Sequence, residues 1–279
     1  MGIFFSYNGK FYKQGTAVIS PDNRSLKFGD GLFETMKMVD GGLELKEYHF
    51  ERLFNGMKVL ALEIPPYFTD IFLENEIIAL TKKNKEYQTA RIRLMIFRGD
   101  GNLNSPDNYL PNYIIQTWAL PGVSKLDSTG LIIGVYPDVK KANDILANFK
   151  TNNFLPYALA AIHAQKNNLN DCILLNTNDR VCDTTVANIF IIKDKIIYTP
   201  PLKESCIAGI VRRWMIENIR YEGLKIKERL LTVEDVKQAD EIFLTNSIYP
   251  IRWVKQFQNV QYTNKQIKIL YAILTKALS

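Results

Sequence analysis

The stretch Phe149-Lys150-Thr151-Asn152-Asn153-Phe154-Leu155-Pro156 lies just past the middle of the 279-residue chain, before an apolar run with helical spacing. Its one charged residue is Lys150. A lone lysine in a polar connection is usually an exposed loop residue, because lysine is seldom buried without a partner. The alternative is an amine that forms a Schiff base with a carbonyl, which requires a desolvated or cationic site that lowers its pKa. The rest of the chain bears on this choice.

The length of 279 residues favours about two domains, although a single large domain is possible. The hydrophobic fraction of 47% indicates a globular protein with a core, and no apolar run approaches the ~20 residues of a membrane span. The first eight residues lack a basic segment and a long apolar segment, so we expect no signal peptide. The three cysteines Cys172, Cys182 and Cys206 include no CxxC pair, which argues against a disulfide framework or a zinc site and for a reducing cytoplasm. The net charge of +6 is scattered and predicts no nucleic-acid surface.

The first half reads as a hairpin at Asn8-Gly9, then a glycine-rich turn leading into a strand at 28–39, then a helix over 46–62. Arg52 lies beside the apolar stripe of that helix. It is either a surface arginine covering the core or a guanidinium directed at a phosphate. After a second helix near 68–83, residues 89–98 alternate as a strand.

That strand places Arg91 and Arg93 on one face and Arg98 on the other. The polar loop 99–111 is either a cover over a substrate or a surface turn. A strand over 113–119 leads to a linker at 120–124.

In the second half, Asp183 either caps the following Thr-Thr turn or pairs with a protonated pyridine nitrogen. Residues 206–213 open a helix whose amides could bind an anion, and residues 239–247 form a strand that ends in hydroxyl and amide groups. A final helix covers 265–278. The only histidines, His49 and His163, lie outside any GxSxG context, so we reject a serine hydrolase.

Taken in order, these segments resemble the class IV aminotransferases, also called fold-type IV pyridoxal-phosphate enzymes. That family includes branched-chain aminotransferase, D-amino-acid aminotransferase and aminodeoxychorismate lyase. The segments that carry the resemblance are Asn8-Gly9, FGDGLFET at 28–35, HFERL at 49–53, KTNNFLP at 150–156, VCDTTVANIF at 181–190, YTPP at 198–201, AGIVR at 208–212 and ADEIFLTNS at 239–247.

The resemblance implies an α/β fold of two domains with the cofactor cleft between them, and a cytoplasmic homodimer. We expect a small N-terminal domain over 1–119, a linker over 120–124 and a larger C-terminal domain over 125–279. The resemblance also implies that Lys150 forms the Schiff base with pyridoxal 5′-phosphate and then carries protons. The other implied contacts are Arg52, the amides of Ile210 and Val211 and the Ser247 hydroxyl for the phosphate, and Asp183 for the pyridine nitrogen.

The sequence departs from the family pattern in three respects. Asp183 stands where the family usually has glutamate, so we expect Asp183→Glu to keep or raise turnover. Phe154 stands where branched-chain enzymes have a tyrosine, and it cannot hydrogen-bond the cofactor phenolate. The loop after Arg98-Gly99 lacks the arginine and histidine that bind the substrate carboxylate in D-amino-acid aminotransferases, and Phe33 replaces their tyrosine. Candidate substrate-binding residues are therefore Phe33, Arg91, Arg93, Arg98 and Ile248.

The resemblance leaves three alternatives open. Two are enzymes that act on small amino-acid-like substrates, and the third is a non-catalytic protein. The RGDG loop and the Thr245-Asn246-Ser247 strand end resemble aminodeoxychorismate lyase most, which would release pyruvate and p-aminobenzoate in folate biosynthesis. The alternative is an aminotransferase that moves an amino group between a branched-chain or D-amino acid and a 2-oxo acid. A minor alternative is a non-catalytic member of the family.

Overall fold

A computed structural model describes residues 2–104, 109–121, 125–220 and 224–278. The chain forms two compact units, one of Met1–Val123 with Phe149–Asn153 and one of Ser124–Asn148 with Phe154–Ser279. The segment that carries Lys150 thus groups with the first unit. Both units combine sheets with helices, which confirms the predicted α/β class. Parts of the expected linker (122–124) and of the polar loop (105–108) lie outside the described residues.

The first unit contains an antiparallel six-stranded sheet in the order β2-β1-β6-β5-β3-β4. The hairpin predicted at Asn8-Gly9 is confirmed as the β1–β2 connection, and the strand predicted over 89–98 is β5. Its elements are β1 (Phe4–Tyr7), β2 (Lys10–Lys13), α1 (Arg24–Phe28), β3 (Gly31–Val39), β4 (Gly42–Leu43), α2 (Lys46–Val59), α3 (Asp70–Lys83), β5 (Thr89–Arg98) and β6 (Pro111–Ala119).

The core of this unit lies between the sheet and the helices α2 and α3. The predicted stripe of α2, with Phe50, Leu53 and Met57, is buried against alternate residues of β3 and β5. Because side chains alternate across a strand, Phe33, Arg91 and Arg93 stand on the other face of the sheet. Arg98 lies on the helix side, as the alternation predicted, and donates to the carbonyl of Ala61 at 3.4 Å.

The second unit contains a mixed sheet with the path β12-β11-β10-β13-β14-β7-β8-β9, and β15 pairs with β14. Parallel pairs join β11 to β12, β14 to β7 and β7 to β8. Its elements are β7 (Leu131–Lys141), α4 (Leu155–Lys166), β8 (Asp171–Asn176), β9 (Val181–Thr184), β10 (Asn188–Lys193), β11 (Ile196–Thr199), a 3₁₀ turn (Leu202–Glu204), α5 (Ile210–Asn218), β12 (Lys225–Glu228), α6 (Val233–Lys237), β13 (Glu241–Thr245), β14 (Arg252–Phe257), β15 (Val260–Gln261) and α7 (Lys265–Leu278).

Three elements, α1, β14 and β15, were not predicted from the sequence. The helix α1 is a single turn, capped by the Asn23 side chain, which is too short to show a helical period. The strand β14 carries polar residues between its apolar ones. It is part of the sheet because it pairs with β13 on one side and β7 on the other. Across the described ranges, no helix combines the length and the apolar character needed to cross a membrane.

Candidate functional site

Lys150 is held against the first residues of β3. The amide of Phe33 donates to the Lys150 carbonyl at 2.8 Å, and the amide of Asn152 donates to the Gly31 carbonyl at 2.8 Å. Between these bonds, Leu32 and Thr151 form an antiparallel bridge. The FGDGLFET stretch therefore places the backbone of the lysine by extending the first unit's sheet by one short pairing.

Gly31 allows this approach. A Cβ at this position would lie 2.4 Å from Asn152 Nδ2, 2.6 Å from the Ile96 carbonyl oxygen and 2.8 Å from Phe97 Cβ. Any side chain at residue 31 would push apart either β3 and β5 or β3 and the Lys150 segment. The second glycine of the quoted motif is thus a requirement of packing on both sides of one strand.

Glu34, two residues further along the strand from Leu32, orients Arg52 and His49 on α2. Arg52 donates to both carboxylate oxygens, with Nε to Oε1 at 2.8 Å and Nη2 to Oε2 at 2.6 Å. His49 Nδ1 lies 2.7 Å from Oε2. Because Glu34 takes one edge of the guanidinium in a fork geometry, Arg52 has a fixed orientation. Glu34 was not singled out from the sequence, although it lies within the quoted FGDGLFET motif.

The charges in this group are set by burial and by each other. Burial opposes ionisation of Glu34, but the Arg52 charge and the hydrogen bonds from His49 and Arg52 outweigh it and lower the pKa of Glu34 to about 2. Burial lowers the pKa of His49 in spite of its bond to Glu34. The group at neutral pH is therefore a carboxylate, a guanidinium and a neutral imidazole that donates through Nδ1.

The Phe33 ring lies beside two cations on the other face of the sheet. Lys150 Nζ is 4.6 Å from the ring centroid, and the guanidinium carbon of Arg93 is 4.4 Å from it. Arg93 Nε is buried and has no hydrogen-bond partner among the described residues. Burial, with a contribution from Arg91, lowers the pKa of Arg93. A partly buried guanidinium that contacts the same phenylalanine ring as Lys150 is suited to bind an anionic group.

The other two arginines of β5 have different surroundings. Arg91 is exposed and lies over the Trp118 ring at 5.2 Å. Arg98 is 5% exposed and donates from Nε to Asp30 Oδ2 at 3.0 Å. Its contacts with Asp30 and with the end of α2 make Arg98 a structural residue, so Arg93 is the one that the structure places near Lys150.

In the second unit, Asp183 lies on β9 and is 2% exposed. Its Oδ2 accepts from the Tyr157 hydroxyl at 3.0 Å and from the Ile207 amide at 2.9 Å, and Lys141 Nζ lies 3.1 Å away. The alternative that Asp183 caps the Thr-Thr turn is wrong. Asp171 accepts from the amide of that turn, at Thr185, at 2.9 Å.

The helix α5 begins at Ile210 and is preceded by Gly209, which provides no side-chain cap. Its first residues are Ile210 and Val211, both buried, and the first amides of a helix have no intrahelical partner. Asn188 holds the segment that leads into α5, because its Nδ2 donates to the Ile207 carbonyl at 2.8 Å. A Cβ on Gly209 would lie 1.7 Å from Asn188 Oδ1. Amides at such a helix start form an anion-binding position.

Ser247 and Ile248 lie just after β13, separated from its last residue by Asn246. Asn188 pairs with Thr245 at the end of that strand. Asn188 therefore contacts both the end of β13 and the segment that leads into α5. The Thr245 hydroxyl is buried and has no hydrogen-bond partner in the described part of the chain. Ile248 is 8% exposed, and its amide donates to Asn246 Oδ1 at 3.0 Å.

The structure thus gathers the predicted residues in two groups. In the first unit, Phe33 lies beside Lys150 and Arg93, while Arg52 lies on the helix side of the sheet with Glu34 and His49. In the second unit, Asp183 contacts the segment that leads into α5, where Ile210 and Val211 begin the helix. The residues that sequence reasoning missed are partners of these, namely Glu34, His49, Lys141, Tyr157, Asn188 and Ile207. Within the described ranges, no cluster of His, Cys, Asp and Glu could hold a metal ion.

The family model described as "Amino-transferase class IV" matches residues 31–257. The chain belongs to the class IV aminotransferases. It is 30% identical over 262 residues to a putative branched-chain-amino-acid aminotransferase of Methanocaldococcus jannaschii, covering 93% of this chain and 90% of the relative. It is also 30% identical over 229 residues to the aminodeoxychorismate lyase of Vibrio harveyi, covering 81% and 82%.

A solved structure of the branched-chain amino acid aminotransferase from Escherichia coli has the same fold, with a TM-score of 0.88. That chain is 22% identical, and the match covers 100% of this chain and 95% of the other. The class IV cofactor is pyridoxal 5′-phosphate, and one solved branched-chain aminotransferase of this fold carries pyridoxamine 5′-phosphate. Each unit offers groups that suit this cofactor. In the first unit, Lys150 offers an amine for the aldehyde and Arg52 offers a guanidinium for a phosphate. In the second unit, the first amides of α5 offer donors for an anion and Asp183 offers a buried carboxylate for a ring nitrogen.

Proposed function

We propose that this class IV enzyme is a 4-amino-4-deoxychorismate lyase, which releases pyruvate and p-aminobenzoate. The observation that carries the proposal is the placement of Arg93 and Lys150 against one Phe33 ring, with Arg91 on the same face of β5. The lyase substrate carries two carboxylates, and guanidinium groups bind carboxylates well. A branched-chain amino acid carries one carboxylate and an apolar side chain, for which two arginines are a poor match.

Two stretches of sequence support the same choice. Arg98-Gly99-Asp100-Gly101 and Thr245-Asn246-Ser247 resemble the lyase subgroup more than either aminotransferase subgroup. The similarity to the Vibrio harveyi lyase is in keeping with this.

In this proposal, Arg52, the amides of Ile210 and Val211 and the Ser247 hydroxyl bind the cofactor phosphate, and Asp183 faces the ring nitrogen. When bound, the cofactor would supply an electron sink for the substrate carbon that bears the amine. The Lys150 amine would take the proton from that carbon, the bond between the ring and the enolpyruvyl oxygen would break, and Lys150 would return a proton to the methylene carbon of the departing enolpyruvate to give pyruvate. Arg93 would hold a substrate carboxylate. Phe33 and Ile248 contact the substrate ring.

A second candidate is amino-group transfer between an amino acid and a 2-oxo acid. It is favoured by the similarity to the Methanocaldococcus jannaschii relative, which extends over more of the chain than the similarity to the Vibrio harveyi lyase. Lys150 would then move a proton between the substrate carbon and the cofactor.

The test mixes the cofactor-loaded protein with aminodeoxychorismate and follows p-aminobenzoate by fluorescence, with Lys150→Ala as the control. Product that disappears in the control supports the lyase. A yellow, folded protein that makes no product but loses its visible band with branched-chain or D-amino acids supports transamination. Failure of the wild-type protein to take up the cofactor would point to the non-catalytic alternative.

The proposal includes a cytoplasmic homodimer that acts in folate biosynthesis. Its three cysteines are all free and buried, which suits a reducing compartment. Sedimentation of the purified protein tests the dimer.

A further inference from the structure

Lys141 at the end of β7 and Tyr157 on α4 surround Asp183 within the second unit. Each of the two residues is 7% exposed. The Tyr157 hydroxyl donates to Asp183 Oδ2 at 3.0 Å, and Lys141 Nζ contacts the same hydroxyl. These three side chains come from three different elements and form one buried polar group, in which removal of a member leaves its partners unsatisfied.

The two oxygens of Asp183 have different surroundings. Oδ2 receives Tyr157, the Ile207 amide at 2.9 Å and Lys141 at 3.1 Å. Among the described residues, the contact of Oδ1 is the longer one to Lys141, at 3.4 Å. Oδ2 is thus saturated with donors, whereas Oδ1 retains capacity to accept one more.

Tyr157 is itself fixed in place. Phe154 stacks on its ring with centroids 4.2 Å apart and an angle of 17° between the planes. Burial, with the Asp183 charge, raises the pKa of Tyr157 well above its ordinary value, so its hydroxyl stays a donor. Phe154 therefore has a structural reason to be an aromatic residue, since it packs against the tyrosine that holds Asp183.

We propose that Tyr157 and Lys141 are positioning residues that fix Asp183 Oδ2 and leave Oδ1 to accept a hydrogen bond from the ring nitrogen of pyridoxal phosphate. This inference rests on the proposed role of Asp183, and it gives a reason for aspartate at this position. The Tyr157 hydroxyl and the Lys141 amine lie 3.0 Å and 3.1 Å from Asp183 Oδ2, so we expect an acid that is one methylene longer to displace them. The expectation from the sequence that Asp183→Glu keeps or raises turnover is therefore replaced by an expected loss in the presence of Tyr157.

The first experiment measures the ring nitrogen directly. The protein is loaded with pyridoxal phosphate labelled with ¹⁵N in the ring, and the ¹⁵N chemical shift and the cofactor dissociation constant are measured for Tyr157→Phe, Asp183→Asn and their double variant. We expect Asp183→Asn to move the shift strongly. Tyr157→Phe should move it in the same direction, with about tenfold weaker cofactor binding, the effect of one lost hydrogen bond to a charged group.

In the double variant, loss of the hydroxyl should add little, because its acceptor has already changed. The matched control is Tyr136→Phe, which removes the hydroxyl of another buried tyrosine of the same hydrophobic cluster and should leave the ¹⁵N shift unchanged. An unchanged shift in Tyr157→Phe beside a changed one in Asp183→Asn would overturn the inference and keep the proposed role of Asp183. An unchanged shift in both would overturn the proposed role as well.

The second experiment replaces Asp183 with glutamate. Asp183→Glu alone should weaken cofactor binding more than tenfold, and Asp183→Glu combined with Tyr157→Phe should recover part of that loss, because the missing hydroxyl leaves room for about one methylene group. A combined variant that binds no better than Asp183→Glu alone would contradict the positioning role. Circular dichroism and thermal unfolding confirm that each variant is folded.

Discussion

The backbone amide of Ile207 donates to Asp183 Oδ2 at 2.9 Å. Ile207 lies three residues before Ile210, where α5 begins. The carboxylate proposed to face the ring nitrogen and the helix start proposed to bind the phosphate are therefore joined through one short segment. A shift of that segment should affect both ends of the bound cofactor.

Gly209→Ala tests the role of this segment, which connects the Asp183 contact to the start of α5. The added Cβ would lie 1.7 Å from Asn188 Oδ1, so either the segment or Asn188 must move. We expect cofactor binding to weaken at least tenfold, with a loss of about 1–3 kcal/mol in the free energy of unfolding. Asn188→Ala in the same chain removes the obstructing group and should restore part of the binding. Equilibrium dialysis and urea unfolding measure the two effects, and wild-type binding in Gly209→Ala would contradict the prediction.

Gly31→Ala should separate Lys150 from β3. Its Cβ would meet Asn152, Ile96 and Phe97 at 2.4–2.8 Å. Overpacking of this kind typically costs about 1–3 kcal/mol, and the displaced lysine should react more slowly with the cofactor. The control is Gly42→Ala, whose Cβ would lie 3.7 Å from the nearest atom, the Val39 carbonyl oxygen. The growth of the visible band after mixing with pyridoxal phosphate gives the rate, and equal rates in the two variants would refute the prediction.

Glu34→Gln should destabilise the first unit. It removes the counter-charge of Arg52, whose side chain is 9% exposed, and replaces one of the two oxygens that accept from Arg52 and His49 with an NH2 group. Breaking a buried ion pair by removing one partner costs about 3–5 kcal/mol. Glu44→Gln removes a carboxylate from the more exposed Lys37–Glu44 pair and should cost no more than about 1 kcal/mol. Urea unfolding at pH 7 compares them, and similar losses in both variants would be evidence against the buried role of Glu34.

The stability of the protein should fall in acid. The folded pKa of Glu34 is about 2, below its ordinary 4.5, so its contribution of about 3 kcal/mol is present above pH 4.5 and is lost as the pH falls toward 2. The pKa of His49 is also lowered, so below about pH 6.5 the unfolded chain takes up a proton that the folded chain resists. Both groups make stability rise with pH. The difference between wild type and Glu34→Gln should therefore shrink from pH 7 to pH 3, and a constant difference in urea unfolding would contradict this.

Arg93→Met should weaken substrate binding more than the same change at Arg91. A lost hydrogen bond between charged groups is worth about 1.5–3 kcal/mol, or roughly 10- to 100-fold in KM, with kcat little changed if Arg93 binds substrate and transition state equally. Arg91 is exposed and should show a smaller effect. Arg98→Met should lower the melting temperature instead, because Arg98 binds Asp30. Steady-state kinetics of the three variants measure this, and an unchanged KM in Arg93→Met would exclude its proposed role.

Local patterns predicted much of this molecule. The strand over 89–98 and the final helix over 265–278 have the predicted bounds, since alternation and helical period act over neighbouring residues. The partners of Asp183 were missed because Lys141 and Tyr157 lie 42 and 26 residues away in sequence. Nothing in their own segments marks them as a group. The choice of Arg93 over Arg98 likewise required the positions of Phe33 and Asp30.

The position of the five residues Phe149–Asn153 limits how this protein can be divided into fragments. They belong to the first unit, yet the chain on both sides of them belongs to the second. A gene fragment that stops at residue 123 would encode a sheet without the segment that pairs with Leu32, and a fragment that begins at residue 124 would carry Lys150 without its support. The two units therefore cannot be exchanged between relatives as independent modules, and a chimaera must exchange residues 149–153 together with the first 123.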